Sequence, residues 1–154
     1  MEWENIIMNQ LEEALREQID YCVKMEHFHS AVFCSTREKK IIVEKLLDKI
    51  LENIPKESHL LLSRRDNTSV LFFSNSNVLR VFNLSDLKTN RGYKCNGCII
   101  DKEMPQELKE VLVYARIIPR TFTMNGEYDY ETWDAVKERV KEVWWPDTID
   151  ELSC

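Results

Sequence analysis

What this chain has little of narrows its reading first. Among its 154 residues there are three glycines and four prolines, and the first glycine is Gly92. So few breakers exclude a collagen-like, linker-rich or low-complexity architecture, and no internal repeat is visible. Long apolar runs are missing as well; the longest span a handful of residues, against the ~20 that a membrane-crossing helix needs. The first residues, MEWENIIMNQLEEALREQ, are acidic and amphipathic rather than basic and then apolar, which is not the pattern of a secretory signal. The expected compartment is therefore the cytoplasm, with no membrane association. The five cysteines (Cys22, Cys34, Cys95, Cys98, Cys154) are an odd number without small-scaffold spacing, which predicts reduced thiols rather than a disulfide framework. An excess of positive charge is absent too: the formal net charge is −6, which excludes a protein whose whole surface grips nucleic acid.

What is present is ordinary for a globular protein, with 44% hydrophobic and 31% charged residues. Residues 3 to 25 read as an amphipathic helix, with Ile7, Leu11, Leu15 and Ile19 at four-residue spacing and Cys22 and Val23 extending the stripe. HSAVFCST suits a buried strand, and Ser35-x-x-Glu38 reads as a capping box for a helix that runs to about Asn53. That helix is expected to bury Ile41, Ile42, Leu46 and Ile50, with Leu47 and Leu51 beside them. The period then changes. HLLLSRR, SVLFFS and VLRVFNL are short strand candidates joined by turns at 66–68 and 75–77, and CIID is a fourth. Pro105 leads into a helix through about Tyr114, Asn125-Gly126 is a strong hairpin-turn signal, and Thr132 to Val143 is read as a last helix closed by Trp144-Trp145-Pro146. The order predicts a single α/β domain over residues 1–154, with a partly parallel sheet, an inserted β-hairpin and flanking helices.

From His29 to about Ile118 the order of pieces resembles part of the ATPase domain of phage large terminases, and more broadly the core of RecA-like P-loop motors. The residues that carry the likeness are the strand and helix of HSAVFCSTREKKIIVEKLLDKI, the hairpin VLFFSNSNVLRVF, the loop RGYKCN with Arg91, Gly92 and Asn96, and the strand CIIDKE. The resemblance implies a P-loop NTPase-like sheet in a protein of phage or mobile-element type, acting in the host-cell cytoplasm. Two departures set the expected activity. No G-x-x-x-x-G-K-[ST] stretch exists to cradle phosphates, and by this resemblance the chain is expected to start where the helix after such a loop would stand. The acidic pair at the strand end is also broken, since Asp101 is followed by Lys102 and Glu103 is displaced by one position. Phosphoryl transfer depends on positioning and charge stabilisation, so the expectation is a truncated, degenerate core with no ATPase activity and no cofactor.

Four constellations remain as candidates. Arg64, Arg65, Arg80, Lys88, Arg91 and Lys94 form a local basic set for phosphates, with Tyr93 available for stacking; the plain alternative is a protected hairpin edge. Trp133, Trp144, Trp145 and Tyr128 belong to an aromatic, acidic C-terminal segment (119–154) and are candidate partner-binding residues, with core packing as the alternative. Cys95-x-x-Cys98 with His27 and His29 is the zinc or hydrolase alternative; its plain reading is a core Cys98 and a partly exposed Cys95. Asp101 and Glu103 are the remnant acidic strand end. The expected function is binding rather than catalysis, through a protein partner or a DNA-handling complex, with a nucleic-acid-binding accessory factor as the alternative.

Overall fold

The computed structural model describes residues 2–53, 63–64, 69–89 and 92–146. The chain forms a mixed α/β fold around a six-stranded sheet of order β2-β3-β4-β1-β5-β8. In chain order the elements are α1 (Glu2–Lys24), β1 (His29–Phe33), α2 (Arg37–Glu52), β2 (Ser63–Arg64), β3 (Val70–Phe72), β4 (Val78–Phe82), α3 (Leu84–Thr89) and β5 (Gly97–Asp101). They continue with α4 (Gln106–Leu108), a π-helical turn over Lys109–Val113, a 3-10 turn over Tyr114–Arg116, β6 (Thr121–Met124), β7 (Glu127–Tyr130), α5 (Trp133–Glu138) and β8 (Val140–Val143). Strands β4, β1, β5 and β8 run parallel, whereas β3 is antiparallel to β4 and β2 to β3. This is the expected partly parallel sheet with an antiparallel insertion.

Helices cover both faces, and the alternation of side chains along each strand feeds two cores. Val32, Leu79, Val81, Ile99 and Leu71 point to the face where the apolar stripes of α1 (Leu11, Leu15, Ile19, Cys22) and α2 (Ile42, Val43, Leu46, Leu47, Ile50) pack. Ala31, Phe33, Phe82, Cys98 and Ile100 point to the other face, against Leu87, Met104 and Val113. Each fully buried large aliphatic side chain contributes about 1.5–3 kcal/mol over its exposed state. All five residues of β5 are buried, which is why CIID shows an unbroken apolar run rather than alternation. Asparagines join the layers: Asn77 accepts from Phe28 N at 2.9 Å and donates to Cys22 O and Met25 O, fixing the C-terminus of α1 against β4.

Several expectations change. The N-cap of α2 is Thr36, whose hydroxyl accepts from Lys39 N, and Ser35 is freed for a different contact described below. Ile41 is 41% exposed, because it falls outside the arc of α2 that faces the sheet. The last helix is only six residues long; from Val140 the chain becomes β8 and pairs with β5, Cys98 lying beside Val140 and Asp101 beside Val143. Val140 and Val143 fit a helical spacing, but an open parallel edge on β5 rewards extension more than a further turn of helix would. The strand candidate at 59–65 and the turn at 66–68 lie mostly outside the described residues, with Ser63 and Arg64 pairing to β3. The Asn125-Gly126 turn is as expected: both residues have positive φ (53° and 85°) and join β6 to β7.

Candidate functional site

Two polar constellations stand at opposite ends of the parallel strands. At the carboxyl end, Asp101 closes β5 and is fully buried. Its Oδ2 accepts from Ser35 Oγ at 2.5 Å, from Ser35 N at 3.2 Å and from Lys39 Nζ at 3.0 Å. Its Oδ1 accepts from Lys39 Nζ at 3.2 Å and from Glu103 N at 3.0 Å. An ionised carboxylate offers about four acceptor positions, and here protein donors use them all. Lys39 also meets Glu103 Oε2 at 3.3 Å, so a lysine stands between the two carboxylates of the remnant acidic strand end. Trp145 Nε1 donates to Lys39 O at 3.2 Å and fixes the first turn of α2 over the cluster. Lys39 escaped the sequence reading although its spacing to Val43, Leu46 and Ile50 puts it on the apolar stripe of α2.

At the amino end lies a cavity of about 710 Å³, over the face of β3 and β4 that carries Val70, Phe72, Val78 and Arg80. His27 and His29 line it from the start of β1, Tyr93, Lys94 and Asn96 from the loop before β5, and Ile118, Pro119 and Thr121 from the approach to β6. The loop is held rigidly: Arg116 is buried and donates to Leu87 O at 2.8 Å and Tyr93 O at 3.5 Å, while Cys95 N donates to Arg116 O and Ile118 N to Cys95 O. Asn96 accepts from His29 N at 2.9 Å and donates to Ile118 O at 3.2 Å. The guanidinium of Arg80 lies 5.3 Å from the Tyr93 ring centre and 5.6 Å from that of Phe82, and Tyr93 donates to Ser30 O at 2.7 Å. Burial pushes the Tyr93 phenol well above its ordinary pKa and pulls His29 down, so Tyr93 stays protonated and His29 stays neutral at neutral pH. His27 holds a positive φ of 53° at the rim.

The basic set expected to act together is divided. Arg80 and Lys94 line the large cavity, whereas Lys88 joins Lys94, Val111, Leu112 and Arg116 around a second cavity of about 340 Å³. Arg65 and Arg91 lie outside the described residues, and Arg64 is placed only as backbone of β2, opposite Leu71. Among the partner-binding candidates, Tyr128 is 77% and Trp133 54% exposed, and Trp144 stacks under Lys102. Trp145 is corrected to a core residue, 2% exposed, because β8 carries it back over α2. The zinc alternative is not assembled: among the described residues no three metal-capable side chains converge. Cys95 and Cys98 are both buried, Cys95 against expectation. Burial raises the Cys98 pKa well above the usual thiol range, which disfavours the thiolate a metal would need. No protein-family model, curated protein or solved structure matches the chain.

Proposed function

We propose that this protein is a non-catalytic binding module that takes a phosphate-bearing ligand, a nucleic-acid backbone, in the cavity at the amino ends of its parallel strands. One observation carries the reading. The chain holds 27 acidic against 21 basic residues, yet the charged side chains in the described lining of this cavity are Arg80 and Lys94, with no acid at all. A concave surface of one sign in a protein of the opposite net charge focuses the field on an anionic ligand. Arg80 lines the cavity with its guanidinium set against the Tyr93 ring, and Lys94, whose ammonium has three donors, gives one to Ala115 O at 3.1 Å.

The absence of catalysis in this reading rests on the other end of the sheet. Asp101 is engaged by Ser35, Lys39 and the Glu103 backbone, and it acts as a tie between β5 and α2 rather than as a seat for a nucleotide's metal. A terminase-like or P-loop ancestry agrees with that picture as a proposal: a motor-like sheet of phage or mobile-element type that binds without hydrolysing. A protein partner is the second reading, favoured by the exposed Trp133 and by Trp3, which is 61% exposed on α1.

Fluorescence anisotropy with short labelled oligonucleotides, repeated across a salt series, tests the first reading. Affinity should fall steeply with salt, with a log–log slope of about −0.7 to −0.9 per phosphate contacted. Replacing Arg80 and Lys94 by alanine should weaken binding and flatten that slope, and ATP turnover with Mg²⁺ should be at background. No binding at low salt would refute the nucleic-acid reading and leave the protein-partner one.

A further inference from the structure

Strands β6 and β7 form a two-stranded ribbon separate from the main sheet. An isolated hairpin is marginal in water, and this one is held by devices at its two ends. The Asn125-Gly126 turn closes the tip. At the base, Glu131 accepts from Arg120 N at 2.9 Å and Arg120 Nε at 3.0 Å and pairs with the buried Arg139, while Arg120 reaches Glu26 O at 3.1 Å. The ribbon is therefore presented as a fixed arm although little of it is buried.

Its register sorts the side chains by face. Thr121 lies opposite Tyr130 and Thr123 opposite Tyr128, so these four share one face. Phe122 lies opposite Asp129 and Met124 opposite Glu127, which puts both carboxylates of the ribbon on the other face. Thr121 belongs to the lining of the large cavity. The uncharged Thr/Tyr face thus continues the cavity that carries Arg80 and Lys94. On it, Tyr128 and Tyr130 are 77% and 63% exposed, which burial in the core does not explain. Alternate residues of a strand stand about 6.8 Å apart, a spacing that admits one base of an extended chain on each ring.

We propose that the ligand is a single-stranded nucleic acid, its phosphates at Arg80 and Lys94 and two unpaired bases stacked on Tyr128 and Tyr130. The proposal rests on the nucleic-acid reading of the cavity and adds strandedness and a base-binding surface. Stacking is tolerant of sequence because every base has a π-face, and a duplex keeps its bases from such a surface.

The experiment compares a fluorescein-labelled single strand of mixed sequence with the duplex made from it, by anisotropy at low salt. The variants are Tyr128→Ala with Tyr130→Ala, Tyr128→Phe with Tyr130→Phe, and Arg80→Ala with Lys94→Ala. The parent should prefer the single strand at least tenfold. The alanine pair should lose about tenfold or more on the single strand alone, and the phenylalanine pair should bind like the parent, since the ring is kept. Both tyrosines are exposed, so unchanged circular dichroism is expected for each variant. Equal binding of strand and duplex, or an alanine pair that binds like the parent, overturns this inference; if Arg80→Ala with Lys94→Ala still weakens binding, the cavity reading stands. No binding of either probe overturns both.

Discussion

Replacing Asp101 with alanine tests the tie between β5 and α2. The side chain is fully buried, and its loss removes the acceptor of Ser35 Oγ, Ser35 N, Glu103 N and Lys39 Nζ together. Lys39, whose side chain is 8% exposed, would keep only the Glu103 carboxylate at 3.3 Å. Breaking a buried pair by deleting one partner costs about 3–5 kcal/mol, because an ion is left without compensation. Glu103 is 47% exposed in its side chain, and Glu103→Gln should cost less than about 1 kcal/mol, as exposed pairs do. Urea unfolding read at constant m-value measures both. A double-mutant cycle of Asp101→Leu and Lys39→Met should show a coupling of about 2 kcal/mol between the two sites. If Asp101→Ala lies within about 1 kcal/mol of the parent, the cluster is not a structural tie, and Asp101 is not held in place for architecture instead of chemistry.

Gly97→Ala should destabilise by about 1–3 kcal/mol through overpacking, since the added Cβ would stand 2.8 Å from the Phe28 ring and 3.1 Å from Arg139 Cβ; a midpoint equal to the parent's would show that these neighbours yield freely. Glu131 has a second, pH-dependent readout. Burial alone would raise its pKa, but the hydrogen bonds from Arg120 N and from the Arg139 and Arg120 side chains outweigh that and hold it below the ordinary 4.5. Its contribution to stability is therefore complete above the unfolded value and is lost as pH falls through the lower folded one. Denaturation midpoints measured from neutral pH down through 4.5 should converge for the parent and Glu131→Gln at the acid end, and a constant gap between them at all pH values would contradict this.

The fold was legible in the sequence wherever one periodicity acted alone. The four-residue spacing in α1, the apolar face of α2, the unbroken CIID run and the Asn125-Gly126 turn each specify an element through local backbone geometry and solvent exclusion, which neighbours along the chain already encode. Where two periodicities coexisted, only the sheet could choose. Val140 and Val143 suit either helix or strand, and the free edge of β5 made β8, drew Trp145 into the core and ended the predicted last helix. The candidate sites followed the same division. Asp101 was visible as a carboxylate ending a buried strand, but Lys39 reaches it across 62 residues of sequence, and no local rule carries that information. The basic residues were likewise visible as a set; tertiary structure divided them, joining Arg80 and Lys94 in one acid-free cavity and placing Lys88 in another. Composition, turn chemistry and the elements with a single periodicity were thus determined by the sequence on its own. Which ionisable groups share a surface was decided by the tertiary fold, because charge interactions depend on distance through space rather than along the chain.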